Sequence, residues 1–251
     1  MTIDDASPLF DVFWINSELN GTRARLLRER IAADAAQPYE APEPVYAGAA
    51  RRLPIVRSSL TETYERRRSG REFSAAALST DDLAHLLAPF AMRRDGTRPL
   101  PSGGGKYPVW IYAALLGVED APDLAGRICW YDPRTHGLSP IGDCPSWNAL
   151  QSVLGTSWDT APSAVFFVVA KRGPMTAKYG ERGGRFMLME AGGYLVALSL
   201  AAAERELAAV ALGSFLDRQV LSLLGLASDE HLSMFAFAAG RPASDREAVS
   251  S

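Results

Sequence analysis

Lys178 and Tyr179 stand side by side among glycines, just ahead of the longest strongly apolar stretch of the chain. Partial desolvation at such a place favours the neutral amine, the form of lysine that accepts a proton, and an adjacent phenol can share or relay that proton. A plain surface loop would carry the same dipeptide without any chemistry. Arg66-Arg67-Arg68-Ser69-Gly70-Arg71 offers guanidinium groups and a hydroxyl around a turn. That set suits a phosphate, because arginine donates charge-assisted and often bidentate bonds to its oxygens; a solvated basic helix end is the other reading. Pro101-Ser102-Gly103-Gly104-Gly105-Lys106-Tyr107-Pro108 holds consecutive glycines that let backbone N–H groups approach a ligand closely. Its spacing is not that of a P-loop. Gly213-Ser214-Phe215 follows an apolar run, where sheets commonly place ligands at strand ends.

Composition narrows the field. The chain has 251 residues, 47% hydrophobic and 22% charged, as in an ordinary globular protein near the upper size for one core. A formal net charge of -3 gives no overall bias toward nucleic acid or anionic membrane. Cys129 and Cys144 make no disulfide framework, and His85, His136 and His231 are widely separated, so no metal site is expected. The N-terminal residues lack the basic flank, apolar run and small-residue cleavage site of a signal peptide, which makes a cytoplasmic location the expectation.

The elements that must position these groups centre on one predicted helix from Gly184 to Glu206. It is apolar on nearly every face, so burial on all sides is expected. Arg185, Glu190 and Glu204 interrupt it too often for a membrane span of about 20 apolar residues. Glu190 needs a partner or a raised pKa in such surroundings, with Arg182 or Arg185 as candidates. Upstream, residues 8–35 read as a helical segment anchored by Leu9, Phe10, Val12, Phe13, Trp14 and Ile15, followed by a proline-rich arm over 37–56. A short helix precedes the Ser69-Gly70 turn, and a second runs from Ser79, its N-cap, to Phe90. Strands are expected at 109–118, 126–131, 163–172, 207–213 and 232–242, with a turn at 132–137. The expected organisation is an N-terminal segment and arm over 1–58, a folded body over 59–242 and a polar tail over 243–251. The class is α+β, a central mixed sheet of about five strands around the long helix.

Taken in order, RRSGREF (67–73), PSGGGKYP (101–108), ICWYDPRTHGL (128–138), KYGERGGRFMLMEAG (178–192), ALGSFLDRQVLSLLGL (211–226) and AAGRP (238–242) resemble the nitroreductase superfamily. Within it they are most similar to the SagB-type azoline dehydrogenases. The resemblance covers about Leu60 to Pro242. It implies a nitroreductase-like fold, a homodimer and FMN near the dimer interface. By position, Arg67, Ser69 and Arg71 would hold the flavin phosphate and ribityl chain, and Ser102, Gly103 and Gly104 would approach the isoalloxazine or its phosphate. Gly213 and Ser214 would lie along the ring, and Arg241 would reach the phosphate from the C-terminal end. Lys178 and Tyr179 match a pair implicated in catalysis: one takes the α-proton of a thiazoline or oxazoline while hydride leaves for the flavin, which dioxygen then reoxidises. The implied substrate is a ribosomally made peptide, and the implied partner a cyclodehydratase complex.

This chain departs from the resemblance after the shared EAG. Gly193, Val196 and Ala197 replace a histidine, a glutamine and an asparagine. Two other functions fit the same residues: an NAD(P)H-dependent nitro- or quinone reductase, and a non-catalytic scaffold subunit of a peptide-modifying complex.

Overall fold

The computed structural model describes residues 8–35 and 51–243. The chain begins with α1 (Pro8–Ser17) and α2 (Gly21–Ala35), where Asn20 Oδ1 accepts from the Arg23 N–H at the break. Of the apolar residues expected to anchor α1, only Phe10 and Trp14 are buried; Leu9, Val12, Phe13 and Ile15 face outward. A ten-residue helix offers one stripe to whatever it packs on, so the rest stay exposed. The expected arm is described only over residues 51–58, which are exposed and without regular structure; its residues 37–50, and those of the tail from 244 on, lie outside the described residues.

Helices α3 (Ser59–Arg66) and α4 (Thr80–Leu87) each open on a capping box, at Ser58 and Ser79, and a 3₁₀ turn extends α4 through Phe90. There follow β1 (Val109–Leu115), β2 (Arg127–Asp132), β3 (Gly137–Asp143), α5 (Trp147–Leu154), β4 (Ala164–Lys171), α6 (Gly173–Tyr179), α7 (Arg182–Glu204), β5 (Ala208–Leu212), α8 (Asp217–Leu223) and β6 (His231–Gly240). The α+β class is as expected. The sheet has six strands in the order β3-β2-β1-β4-β6-β5, and all neighbours pair antiparallel, where about five strands in a mixed sheet were expected. The additional strand, β3, contains Pro140 and lies at the sheet edge, where a missing N–H costs no ladder bond. In β4 every residue from Ala164 to Ala170 is buried, so both faces of the sheet are covered there.

Helix α7 lies against β1, β4, β5 and β6. Its buried residues, Gly183, Gly184, Met187, Glu190, Ala191, Tyr194, Leu198, Ala201 and Ala202, recur at three- and four-residue spacing along one stripe. The expected burial on all sides is therefore corrected: Leu188, Met189 and Val196 form an exposed apolar stripe, Met189 with 72% of its surface accessible. It is also the one described helix long and apolar enough to cross a membrane, and it is packed on the sheet. At its start the backbones of α6 and α7 come so close that a Cβ on Gly183 would sit 2.6 Å from the Met175 carbonyl oxygen.

Gly→Ala in a helix normally stabilises by about 0.5–1 kcal/mol. Gly183→Ala is expected to reverse that sign and cost about 1–3 kcal/mol, as overpacking does. A lowered urea midpoint at unchanged slope checks it; a midpoint equal to or above wild type refutes the close packing of α6 on α7.

Candidate functional site

Lys178 and Tyr179 close the last turn of α6, which Gly180 ends at φ +52°. The Lys178 ammonium lies 5.1 Å from the centroid of the Tyr179 ring, and that ring meets Phe186 of α7 edge-on at 4.9 Å. Against this pair lies the glycine loop. A Cβ on Gly104, whose φ is +62°, would collide with the Tyr179 hydroxyl and the Lys178 ammonium, and one on Gly103 would press on Met175 and Phe186. Ser102 holds the loop from below by accepting the Tyr107 N–H at 2.8 Å. Tyr107 is itself at φ +46°, an uncommon position for a side-chain-bearing residue, and its hydroxyl accepts the Arg98 N–H at 3.0 Å. Five expected site residues, Ser102, Gly103, Gly104, Lys178 and Tyr179, thus form one cluster. Lys178 is exposed, so the desolvation expected for it is not supplied by the described residues.

The arginine loop forms a second cluster. Gly70 N–H donates to the Ala209 carbonyl of edge strand β5 at 2.9 Å, and a Cβ there would meet Ala208 at 3.2 Å, so the loop is pressed onto the strand. Arg67, Ser69 and Arg71 line a cavity of about 920 Å³ whose opposite wall is Leu195, Val196, Ser199 and Leu200 of α7. Among the described residues no carboxylate forms an ion pair with Arg66, Arg67, Arg68 or Arg71. Gly213 and Ser214 follow β5, whose residues Ala208 to Ala211 line the cavity, but do not line it themselves. Val196, where the resembled family carries glutamine, is part of the apolar wall.

Arg241 is held elsewhere. Asp82, fully buried, accepts from Arg241 Nη2, from Arg205 Nε at 3.0 Å, and from the Ser79 N–H and hydroxyl. Burial pushes the Asp82 carboxyl up, but the Ser79 N–H, Arg205, the Ser79 hydroxyl and Arg241 outweigh it and hold the group below its ordinary value. Arg241 is absent from the cavity lining, whereas its neighbour Pro242 belongs to it.

One feature of the site region had only a partial signal in the sequence. Glu190 is 6% exposed, and neither carboxyl oxygen has a hydrogen-bond partner. Arg182 and Arg185, the expected partners, are exposed. Burial pushes the Glu190 pKa up, and Ser102, the Val109 backbone and Arg98 only partly oppose it. Arg98 donates to the Tyr194 hydroxyl at 3.1 Å, and Tyr194 donates to the Val109 carbonyl at 3.1 Å. These groups back the Ser102 end of the glycine loop, yet Arg98 precedes Glu190 by 92 residues and Val109 precedes Tyr194 by 85, and no local pattern records the meeting.

A model of the nitroreductase family matches residues 64–241. A Methanocaldococcus jannaschii protein provisionally named a nitroreductase is 27% identical over 168 residues, covering 66% of this chain and 83% of its own. Among solved structures, a chain of the Escherichia coli microcin synthetase McbBCD complex, with truncated pro-MccB17 bound, superposes with a TM-score of 0.66 at 19% identity. It covers 92% of this chain and 97% of its own. A provisionally named nitroreductase of Ralstonia eutropha gives 0.63 at 24% identity over 83% of this chain and all of its own. One from Desulfovibrio desulfuricans, in complex with FMN, gives 0.52 at 19% over 75% and 89%. At these identities the structural likeness is one of fold.

The orphaned carboxyl yields a pH-dependent expectation. A folded-state pKa raised above the unfolded value contributes stability that is complete below the unfolded pKa, about 4.3, and lost as pH rises through the folded value. Glu190→Gln is therefore expected to be more stable than wild type at pH 8, with the gap closing toward pH 4. Paired thermal melts across that range check it; a gap that widens on acidification would mean Glu190 is held as a carboxylate.

Proposed function

The chain belongs to the nitroreductase family, and from that membership we propose that it is an FMN-dependent dehydrogenase oxidising azolines to azoles in a ribosomally made peptide. The observation that carries the proposal is the Lys178–Tyr179 pair seated against the Ser102–Gly104 loop. The near end-to-end superposition on a chain of a peptide-bound microcin synthetase complex supports a peptide substrate and partners in a multi-protein complex, for which we take a cyclodehydratase.

The second cluster fits FMN by its chemistry. Unpaired guanidinium groups and a hydroxyl face one side of a large cavity, and an apolar wall of α7 faces the other, as a group with a phosphate at one end and a flat ring at the other requires. Arg67, Ser69 and Arg71 would hold the phosphate and ribityl end, and Gly213 and Ser214 would border the ring. Arg241, with its guanidinium on Asp82, would act only indirectly, through its carbonyl, which accepts the Ser74 N–H beyond the arginine loop. When bound, the flavin supplies a two-electron acceptor for hydride.

The two clusters occupy different parts of α7. Phe186, against the glycine loop, and Leu195 to Ala203, along the cavity, are separated by about 14–26 Å at 1.5 Å rise per residue. The exposed stripe starts between them at Leu188 and Met189 and reaches the cavity wall at Val196. Two copies of α7 packed antiparallel across a two-fold axis would bury that stripe and bring the glycine loop of one subunit toward the arginine cavity of the other. We take the protein to be such a homodimer, with each site completed by both subunits. Coverage by the partner would also remove water from Lys178. In the reaction one C–H of the azoline leaves as a proton and the neighbouring one as hydride. Lys178 or Tyr179 takes the proton, the other member of the pair orienting it, with the glycine loop packed behind them.

A second reading has one support of its own: the sequence match to the archaeal protein named for nitro reduction. Rapid flavin reduction by NAD(P)H without peptide would select that reading.

The purified protein is expected to be yellow. Lys178→Ala and Tyr179→Phe should keep bound flavin and lose about 10²–10⁴-fold in turnover of a thiazoline peptide, the usual share of a general base. Normal turnover in both variants refutes the base assignment, and protein that neither carries nor takes up FMN refutes the function. Met189→Lys should convert the dimer to monomer by sedimentation and weaken flavin retention; a monomeric wild type overturns the shared site.

A further inference from the structure

We infer that α1 is a clasp that sets the position of Lys178 and Tyr179 by gripping α6 at both ends. The inference rests on the proposed role of that pair and adds residues that the family match, over 64–241, does not include. Helix α6 has seven residues, too few to persist on intrinsic helix stability, so its geometry is set by what holds it. On its N-terminal side, Arg172, the residue before α6, forms an ion pair with Asp11 of α1. On its C-terminal side, Glu181 lies two residues beyond Tyr179. Its carboxylate accepts the Leu9 and Phe10 N–H groups of α1, at 3.0 and 2.7 Å. Those two donors belong to the first turn of α1 and have no carbonyl partner within the helix, and a carboxylate there also meets the positive end of its dipole.

The grip is fixed in register by shape. Phe10 is buried with its ring against Gly184, where any Cβ would overlap it, and Trp14 packs beside it at 5.9 Å between centroids. Beyond the other end of α1 the chain is tied to a different element. Leu19 N–H donates to Asp217 at 2.8 Å, and Glu18 pairs with Arg218, both on α8. The segment is thus a strut from α8 to α6. Apolar packing of Phe10 and Trp14 would suffice to dock a helix, but it is non-directional. The two charged contacts, one on each flank of α6, are what orient its last turn toward Gly104. Asp11, Glu181 and Arg172 are positioning residues, since each acts on the pair through the backbone of α6.

The test uses the full-length flavoprotein with Asp11→Arg, Arg172→Asp, the double exchange of the two, and Glu181→Gln. Amide hydrogen exchange is followed in α6 and, as an internal reference, in β4. Turnover is read on a synthetic thiazoline peptide. Each single variant is expected to raise exchange across 173–179 about tenfold with β4 unchanged, and to lower kcat about tenfold with KM and flavin content unchanged. The double exchange should restore both. Unchanged α6 exchange in the single variants, increased α6 exchange with intact kcat, or loss spread equally to β4 and not restored by the exchange would each overturn the clasp. If wild-type protein leaves thiazoline untouched, the azoline reading fails by itself, and the exchange arm still decides whether α1 holds α6.

Discussion

A 23-residue helix with two apolar faces has only one sheet to lie on, and much of this molecule follows from that. The stripe through Met187, Ala191, Tyr194 and Leu198 takes the sheet. Gly183 and Gly184 at its leading end remove side chains so that the backbones of α6 and the ring of Phe10 can come into contact. The second stripe is left facing out. Full burial of a Leu, Met or Val side chain is worth about 1.5–3 kcal/mol, so Leu188, Met189 and Val196 together give a standing incentive of several kcal/mol for association. A partner placed there would lie between the glycine-loop cluster and the arginine cavity, the two places where groups able to do chemistry have gathered.

The charges are sorted by the same geometry. Asp82 is fully buried beneath the C-terminal end of α7, and a buried carboxylate must be paired to remain ionised. It engages Arg205 and Arg241, tying the end of α7 and the end of β6 to the start of α4. Of the arginines of the 66–71 loop, Arg66, Arg68 and Arg71 are exposed and Arg67 half-buried, and none has an ion-pair partner among the described residues. Guanidinium groups that are structurally spoken for and groups that are free to meet an anion are therefore different residues, although both sets lie near one cavity. That division is the reason the phosphate reading rests on Arg67 and Arg71 more than on Arg241.

What could be read from the amino-acid sequence was what is local. The Ser79 N-cap, the apolar run of β4, and the Asp132–Gly137 turn all announce themselves within a few residues. The elements that escaped are short or compositionally weak: α5 and α6 at eight and seven residues, and β3 with its proline and exposed surface. Apolar composition correctly marked α7 as the central helix but could not say which face the sheet would take. The surroundings of Glu190 and the partner of Arg241 were out of reach for another reason. Arg98 and Asp82 precede them by 92 and 159 residues, and nothing in a local pattern records such a meeting. The candidate site was legible as a list of residues, but its division into two clusters was not.

That division bears on how far family membership reaches. The match spans 64–241, and the reaction class is a property of that region. Yet Phe10, Asp11 and Leu19 lie outside it and contact Gly184, Arg172 and Asp217 inside it, while Leu9 and Phe10 N–H groups are satisfied by Glu181. Without Glu181 the half-buried Phe10 N–H would lose its acceptor, so the first turn of α1 is satisfied from within the family region. Helix α1 is therefore part of the body, held by directional bonds to α8 and to Arg172 and Glu181 on either side of α6. On the proposed reading, the oxidation belongs to the shared fold, and the way the pair is held belongs to this chain's own N-terminal helix.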